Sequence, residues 1–242
     1  MSKTLALIHT SPVLVQSFNS LCARFLPGSP VFHMVDESLI KNTIAAGSLQ
    51  KVTIRRLVAL VDSAAQAGAG AVLVTCSSIG EGVRVARGLF DFPVMRIDEP
   101  MAERAVAAGV RIGVLATLQT TLAPTVRLLE ETAQARGCHR EVVSRLCEGA
   151  FEAVLAGDVA THDGIVGAAL AELAGAVDVI VLAQASMARV VACLPPEGRK
   201  VPILSSPELA VAHAAEVMAA IAVGGTVGPD FTPGSTGQGP CL

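Results

Sequence analysis

The sequence predicts an α/β fold made of two pseudo-symmetric, doubly wound parallel-sheet halves of Rossmann-like architecture, arising from an internal duplication. Three observations predict it. Apolar runs of four to six residues alternate with longer stretches of helical period, which is the pattern of βαβ units. Of the 242 residues, 52% are hydrophobic, mostly Ala, Val and Leu, with no Trp or Tyr and seven Phe, a composition suited to buried parallel strands under helices. The two halves also answer to each other: "TLALIHTS" to "RIGVLATL" with Thr10 over Thr117, "AGAGAVLVTCSS" to "AGAVDVIVLAQAS" with Cys76 over Gln184, and "FPVMRIDEP" to "VPILSSPEL" with Pro93 over Pro202. Three matches in the same order at almost constant offset mark a repeat.

In chain order, a strand is expected over Thr4 to Ile8, running into the turn "HTSP", and a second over Val31 to Val35. A helix of clear period spans Gln50 to Ala67, and the glycines of "AQAGAGAV" end it ahead of the strand Ala71 to Thr75. A strand at Val94 to Ile97 completes the first half. The second half repeats the plan with strands at Arg111 to Leu115, Glu141 to Ser144, Val177 to Leu182 and Ile203 to Leu204, and helices at Gln119 to Arg136, Asp163 to Ala174 and Pro207 to Val223. The expected division is residues 1–98, joined by the C-terminal helix 206–223, then 99–205. Residues 224–242, "GGTVGPDFTPGSTGQGPCL" after Val223, are rich in Gly and Pro without periodicity and read as a flexible tail.

A formal charge of −3 without a dense Lys/Arg run argues against a nucleic-acid surface, and the lack of Trp and Tyr leaves little to stack on bases. No segment approaches 18 uninterrupted apolar residues, and the apolar run in "MSKTLALIHTSP" is too short for a signal segment, so a soluble, cytoplasmic protein is expected. A small molecule is the expected partner, with a homodimer as the default assembly for an enzyme of this size. The six cysteines show neither CxxC spacing nor a Cys/His cluster, so neither a zinc site nor a disulfide framework is signalled. Neither half has a GxGxxG turn or a Walker A sequence, which disfavours a nucleotide site.

Ligands of open parallel sheets bind beyond the carboxyl ends of the strands. Here those ends read His9-Thr10-Ser11, Thr75-Cys76-Ser77-Ser78, Ala116-Thr117-Leu118-Gln119-Thr120-Thr121 and Ala183-Gln184-Ala185-Ser186. They are small and rich in hydroxyls, able to hold a carboxylate with hydroxyl and backbone donors. Each hydroxyl taken alone could equally be a helix N-cap, and the shared placement at four strand ends is what favours a ligand site. Cys76 stands directly before an expected helix start with hydroxyls beside it, features that lower a thiol pKa and suit a nucleophile or proton carrier. The alternative is a buried, inert thiol.

At these residues the chain resembles the Asp/Glu/hydantoin racemase superfamily, over essentially Lys3 to Val223. The matching pieces are "VTCSS" at Val74, "GVLATLQTT" at Gly113, similar to the family's carboxylate-holding turn, and "VIVLAQASMA" at Val179, similar to a hydantoin racemase stretch, with Met187-Ala188 in register. The resemblance implies two α/β halves facing across a cleft, each offering a cysteine, with chemistry that needs no metal, pyridoxal phosphate or nicotinamide. It implies Cys76 and Gln184 as the catalytic positions, and Thr10, Ser11, Thr75, Ser77, Ser78, Thr117, Thr120, Thr121, Ser186 and Met187 around the substrate.

One departure is decisive. The second cysteine position holds Gln184, whose amide cannot deliver a proton at a useful rate near neutral pH. A cofactor-independent racemase or isomerase acting through Cys76 at the α-carbon of a small carboxylate is the leading expectation. A single-thiol decarboxylase resembling the arylmalonate decarboxylases, a cis-trans isomerase with thiol attack on carbon, and a non-catalytic binder of small carboxylates stay open, with Gln184 orienting the substrate or steadying an oxyanion. His9 is expected as a hydrogen-bonded structural residue and His162 as an outside candidate for a second base, with Thr161 or Asp163 capping its helix. Asp36-Glu37-Ser38 reads as a solvated acidic turn, and Glu81 as a carboxylate that would raise the thiol pKa.

Overall fold

The protein is described from a computed structural model covering residues 4–184, 187–193, 200–223 and 228. The expected tail lies outside these residues apart from Gly228, and so does Ser186. The chain divides into two compact units: one runs up to Ile97 and regains the helix beginning at Pro207, and the other runs from Asp98 to Ser206.

The first unit contains β1 (Thr4–His9), α1 (Leu14–Phe25), β2 (Val31–Val35), α2 (Glu37–Ala45), α3 (Lys51–Gln66), β3 (Ala69–Val74), a 3₁₀ turn (Ser77–Ile79), α4 (Glu81–Arg87) and β4 (Val94–Arg96). The second contains α5 (Glu99–Ala108), β5 (Arg111–Ala116), α6 (Gln119–Ala135), β6 (Glu141–Leu146), α7 (Ala150–Leu155), α8 (Val159–Leu173), β7 (Val179–Leu182), α9 (Ala188–Cys193) and β8 (Ile203–Ser205); α10 (Ser206–Ala222) then returns to the first. Both sheets are parallel throughout and share one topology, β2-β1-β3-β4 and β6-β5-β7-β8.

All eight expected strands form, each within two residues of its expected ends. The central β3 is buried along its whole length, whereas the edge strand β6 alternates irregularly between exposed and half-buried residues. Continuous burial explains why β3 reads as an unbroken apolar run. Pleating sends alternate residues of β1 and β3 to opposite faces. Leu5, Leu7, Ala71 and Leu73 pack with Phe18 of α1 and with Ala210, Val211, Ala214 and Val217 of α10. Ala6, Ile8, Val72 and Val74 pack with Leu39 of α2, Leu57 and Val61 of α3 and Val83 of α4. In the second unit Leu115, Ile180 and Leu182 pack on Val166, Leu170 and Leu173 of α8.

Local signals account for the ends of these elements. Gly68, at φ +91, takes the left-handed conformation that closes α3, its N–H donating to the Ala65 carbonyl at 2.9 Å. The start of α8 differs from expectation: it begins at Val159, because the Asp158 carboxylate caps it, accepting from the Thr161 N–H at 3.0 Å and the Thr161 hydroxyl at 2.7 Å. Asp163 therefore lies inside the helix. Although the cysteine spacing signals no disulfide framework, Cys138 is disulfide-bonded, while Cys22, Cys76 and Cys147 are free.

Candidate active site

In the first unit β3 delivers Cys76 to the carboxyl edge of the sheet, where the chain leaves the strand in an extended conformation (φ −132, ψ 114) and tightens into the 3₁₀ turn. The side chain is half-buried and packs against the apolar cluster on one face of the sheet. The Thr10 hydroxyl, from the end of β1, hydrogen-bonds the Cys76 sulfur. The Ser78 and Ile79 N–H groups and the Ser78 hydroxyl also favour the thiolate, although no full capping bond closes onto the sulfur. Ser77 and Ser78 are buried within the turn, and Ser11 is half-buried after β1.

Burial outweighs these donors and raises the Cys76 pKa above the ordinary 9.0. This corrects the expectation of a lowered pKa. A three-residue 3₁₀ turn has no developed macrodipole, and the longer α4 that follows opens with Glu81 in its first turn. The resting sulfur at neutral pH is a thiol, a proton donor before it is a base.

The capping explanation for the strand-end hydroxyls fails where the helix starts are described. The N-cap positions are Val13 for α1, Cys76 for the 3₁₀ turn, Gly80 for α4 and Leu118 for α6, and none makes a side-chain capping bond. Thr75 is used otherwise. Its hydroxyl lies 2.7 Å from His9 Nδ1 and 3.1 Å from the Ile8 carbonyl. His9, fully buried, continues through Nε2 to His33 Nδ1 at 2.8 Å, and His33 Nε2 reaches Asn19 Oδ1 at 2.9 Å. The Thr75 hydroxyl donates to the Ile8 carbonyl, and His9 joins it through His33 to Asn19 in one hydrogen-bonded chain. Burial first, and the neighbouring His33 second, push the His9 pKa down to about 4. His9 is therefore a neutral, hydrogen-bonded group at the base of the Cys76 turn.

Sequence reasoning missed Arg96. It ends β4, is only 2% exposed, and sits 3.6 Å from Glu81 Oε1. Its guanidinium lies flat against Gly80, where an added Cβ would come within 2.7 Å of Arg96 Cζ and Nε. A buried cation thus braces the far side of the Cys76 turn and offsets the Glu81 charge. The signal was an Arg closing an apolar run in "FPVMRIDEP", with Ser205 as its counterpart in the other half. Asp36, read as a solvated turn, instead caps α2 through the Ser38 N–H at 3.0 Å and pairs with Arg56 at 2.6 Å.

In the second unit the equivalent strand ends bring together Thr117 and Gln184. Gln184 Oε1 accepts from the Thr117 N–H at 2.5 Å and from the Thr117 hydroxyl at 2.9 Å. Both donors of Thr117, its backbone N–H and its hydroxyl, are thereby engaged by Gln184. The Thr120 hydroxyl, in the first turn of α6, is buried with no hydrogen-bond partner among the described residues, and Thr121 is 3% exposed beside it. Met187 is fully buried in the apolar cluster with Leu182 and Val190, where it serves packing. His162 is fully buried, with Nδ1 2.8 Å from Asp163 Oδ1, which also pairs with Arg189 at 2.6 Å. The repeat therefore places one threonine against each key group: Thr10 on Cys76 and Thr117 on Gln184.

Two surface grooves lie away from the ends of the central strands β1, β3, β5 and β7, the first of them at the end of the edge strand β6. One, of about 530 Å³, is lined by Arg145, Cys147, Ile165 and Glu172, and another, of about 520 Å³, by Ile54, Val58, Val85 and Leu89. We place the site at the central strand ends instead, because that is where parallel sheets bind ligands and where the Thr120 hydroxyl, unpartnered among the described residues, lies. Among the described residues no group of three or more His, Cys, Asp or Glu could hold a metal ion, and no helix is long and apolar enough to cross a membrane.

Comparisons with known proteins bear on this arrangement. No curated protein matches the chain. Solved structures with the same fold include a glutamate racemase from Bacillus anthracis (TM-score 0.71, 18% identity, 91% of this chain and 83% of that one). An allantoin racemase from Klebsiella pneumoniae is similar (TM-score 0.67, 17% identity, 92% and 89%), as is an aspartate racemase from Picrophilus torridus (TM-score 0.66, 10% identity, 89% and 94%). The family model for Asp/Glu/hydantoin racemases matches residues 8–214, spanning both units and both threonine-supported strand ends. The chain belongs to the Asp/Glu/hydantoin racemase family.

Proposed function

We propose that the protein is a cofactor-independent enzyme of the racemase type that moves a proton at the α-carbon of a small carboxylate or related carbonyl compound, with Cys76 as the proton carrier. The observation that carries this reading is the setting of Cys76: a thiol at the carboxyl end of a central strand, in contact with the Thr10 hydroxyl, on a turn braced by Arg96. In the reaction Cys76 first loses its proton to solvent, the thiolate takes the α-proton, and the electron pair left on carbon delocalises onto the neighbouring carboxylate or carbonyl oxygens until a proton is returned to carbon. Hydroxyl and backbone donors stabilise that developing charge. Membership of the family, and the Ser, Thr and N–H groups at the strand ends, support the choice of a small anionic substrate.

Gln184 and the raised thiol pKa favour a second reading in the same family, a single-thiol decarboxylase. There a carbon–carboxylate bond breaks, carbon dioxide leaves, and the Cys76 thiol gives its proton to the resulting enediolate; water then restores the thiol. Incubation with aspartate, glutamate, allantoin and α-substituted malonates in deuterium oxide separates the readings. Uptake of deuterium at a C–H without gas release supports the racemase type, and carbon dioxide release with one deuterium in the product supports the decarboxylase. Neither event on any member of the panel would sink the enzymatic reading.

A further inference from the structure

The amide of Gln184 is held in one orientation, and that orientation determines what it can bind. A backbone N–H only donates, so the Gln184 atom 2.5 Å from the Thr117 nitrogen is the oxygen. The Thr117 hydroxyl occupies the same oxygen at 2.9 Å. Two donors use both lone pairs of Oε1, which leaves Gln184 no acceptor to offer a ligand. Its Nε2 keeps both hydrogens, is engaged by no partner among the described residues, and belongs to a half-buried side chain. Three residues beyond Thr117, the buried Thr120 hydroxyl is a second polar group with no partner among the described residues, on the first turn of the 17-residue α6.

We propose that Gln184 is a substrate-orienting residue that acts only as a donor, so that its amide, held by the Thr117 turn, takes a carboxylate or carbonyl oxygen of the ligand and not an ammonium group. This rests on the reading of that turn as part of the substrate site. The repeat supplies the logic: the same threonine that supports the sulfur of Cys76 in the first half supports an amide oxygen in the second, turning a proton-transfer position into a fixed pair of N–H donors. At that amide an α-ammonium would meet only N–H groups, because the sole acceptor of Gln184 is already occupied by Thr117.

The test uses the full chain with malonate as probe and methylammonium as control. In wild-type protein, malonate is expected to shift the side-chain ¹⁵N–H₂ resonances of Gln184, identified by their loss in Gln184→Glu, and methylammonium is expected to leave them in place. Gln184→Glu preserves the acceptor for Thr117 but removes the amide donors, and is expected to weaken malonate binding roughly tenfold or more at unchanged melting temperature. The neutral variant Gln184→Met is expected to weaken it in the same direction. Wild-type protein that binds malonate no better than Gln184→Glu overturns the proposal, as do Gln184 resonances that stay still while malonate binds. Deuterium exchange by wild-type protein is scored separately, so failure of the catalytic reading is told apart from failure of this one.

Discussion

Acid should weaken the first unit through the buried His9–His33 pair, and the size of the effect can be worked from the structure. His9 is fully buried, 2.8 Å from His33, with the Phe18 ring edge-on at 5.3 Å, and its pKa falls from 6.5 to about 4. His33 moves in the same direction, through burial. Between pH 6.5 and 4 the unfolded chain therefore binds more protons at these sites than the folded one, so stability is complete above pH 6.5 and is lost as the pH falls. A displacement of that size for His9 corresponds to about 3 kcal/mol by pH 4, and about 2 kcal/mol at pH 5. Against a total of roughly 5–15 kcal/mol for a typical domain, this is a large share. Urea unfolding at pH 8 and pH 5 reads it, comparing wild type with His9→Gln, which cannot titrate. Carboxylates contribute to both proteins, so the difference between them isolates His9, and wild type should lose about 2 kcal/mol more than the variant over this interval. If His9→Gln does not fold, His33→Gln removes the neighbouring charge and should reduce the slope. Parallel pH dependence in wild type and both variants would refute the reasoning.

Other predictions concern the turn itself. Alkylation of Cys76 by iodoacetamide, isolated by comparison with Cys76→Ser, should be slow at pH 7 and still accelerating past pH 9, since burial raises its pKa; a plateau near neutrality would contradict this. Gly80→Ala places a methyl group against the buried Arg96 guanidinium and should cost about 1–3 kcal/mol by urea unfolding. An unchanged midpoint would show that the turn has slack there. With one thiol and an amide at the equivalent position of the repeat, α-deuterium should enter recovered substrate faster than optical activity is lost; equal rates would point to a second proton donor.

Much of the fold was legible because parallel strands buried on both faces leave continuous apolar runs, as "AVLV" does in β3, and because the repeat supplied each weak strand with a stronger partner. The start of α8 was misplaced because its cap, Asp158, follows Gly157 in a stretch that reads as turn until the Thr161 bonds are seen. The positions Cys76, Thr10, Thr117 and Gln184 were legible from their place at strand ends. What they do to one another was not. Both donors of Thr117 meet the Gln184 oxygen, a contact across 67 residues of chain. Arg96 sat in an apolar run that identified it only as part of a strand, and its place against Gly80 depends on the register of β3 with β4. The thiol pKa was misjudged because donors near Cys76 can be read from sequence neighbours, whereas burial comes from residues such as Leu39 and Leu57 packed on the same face.

Deuterium incorporation at the α-carbon of a turned-over acid, measured by mass spectrometry for wild type beside Cys76→Ala, tests the central claim most directly. The account predicts exchange in the wild type and its loss to the uncatalysed rate in a Cys76→Ala protein of unchanged fold. Exchange that persists at the wild-type rate without the thiol would contradict it.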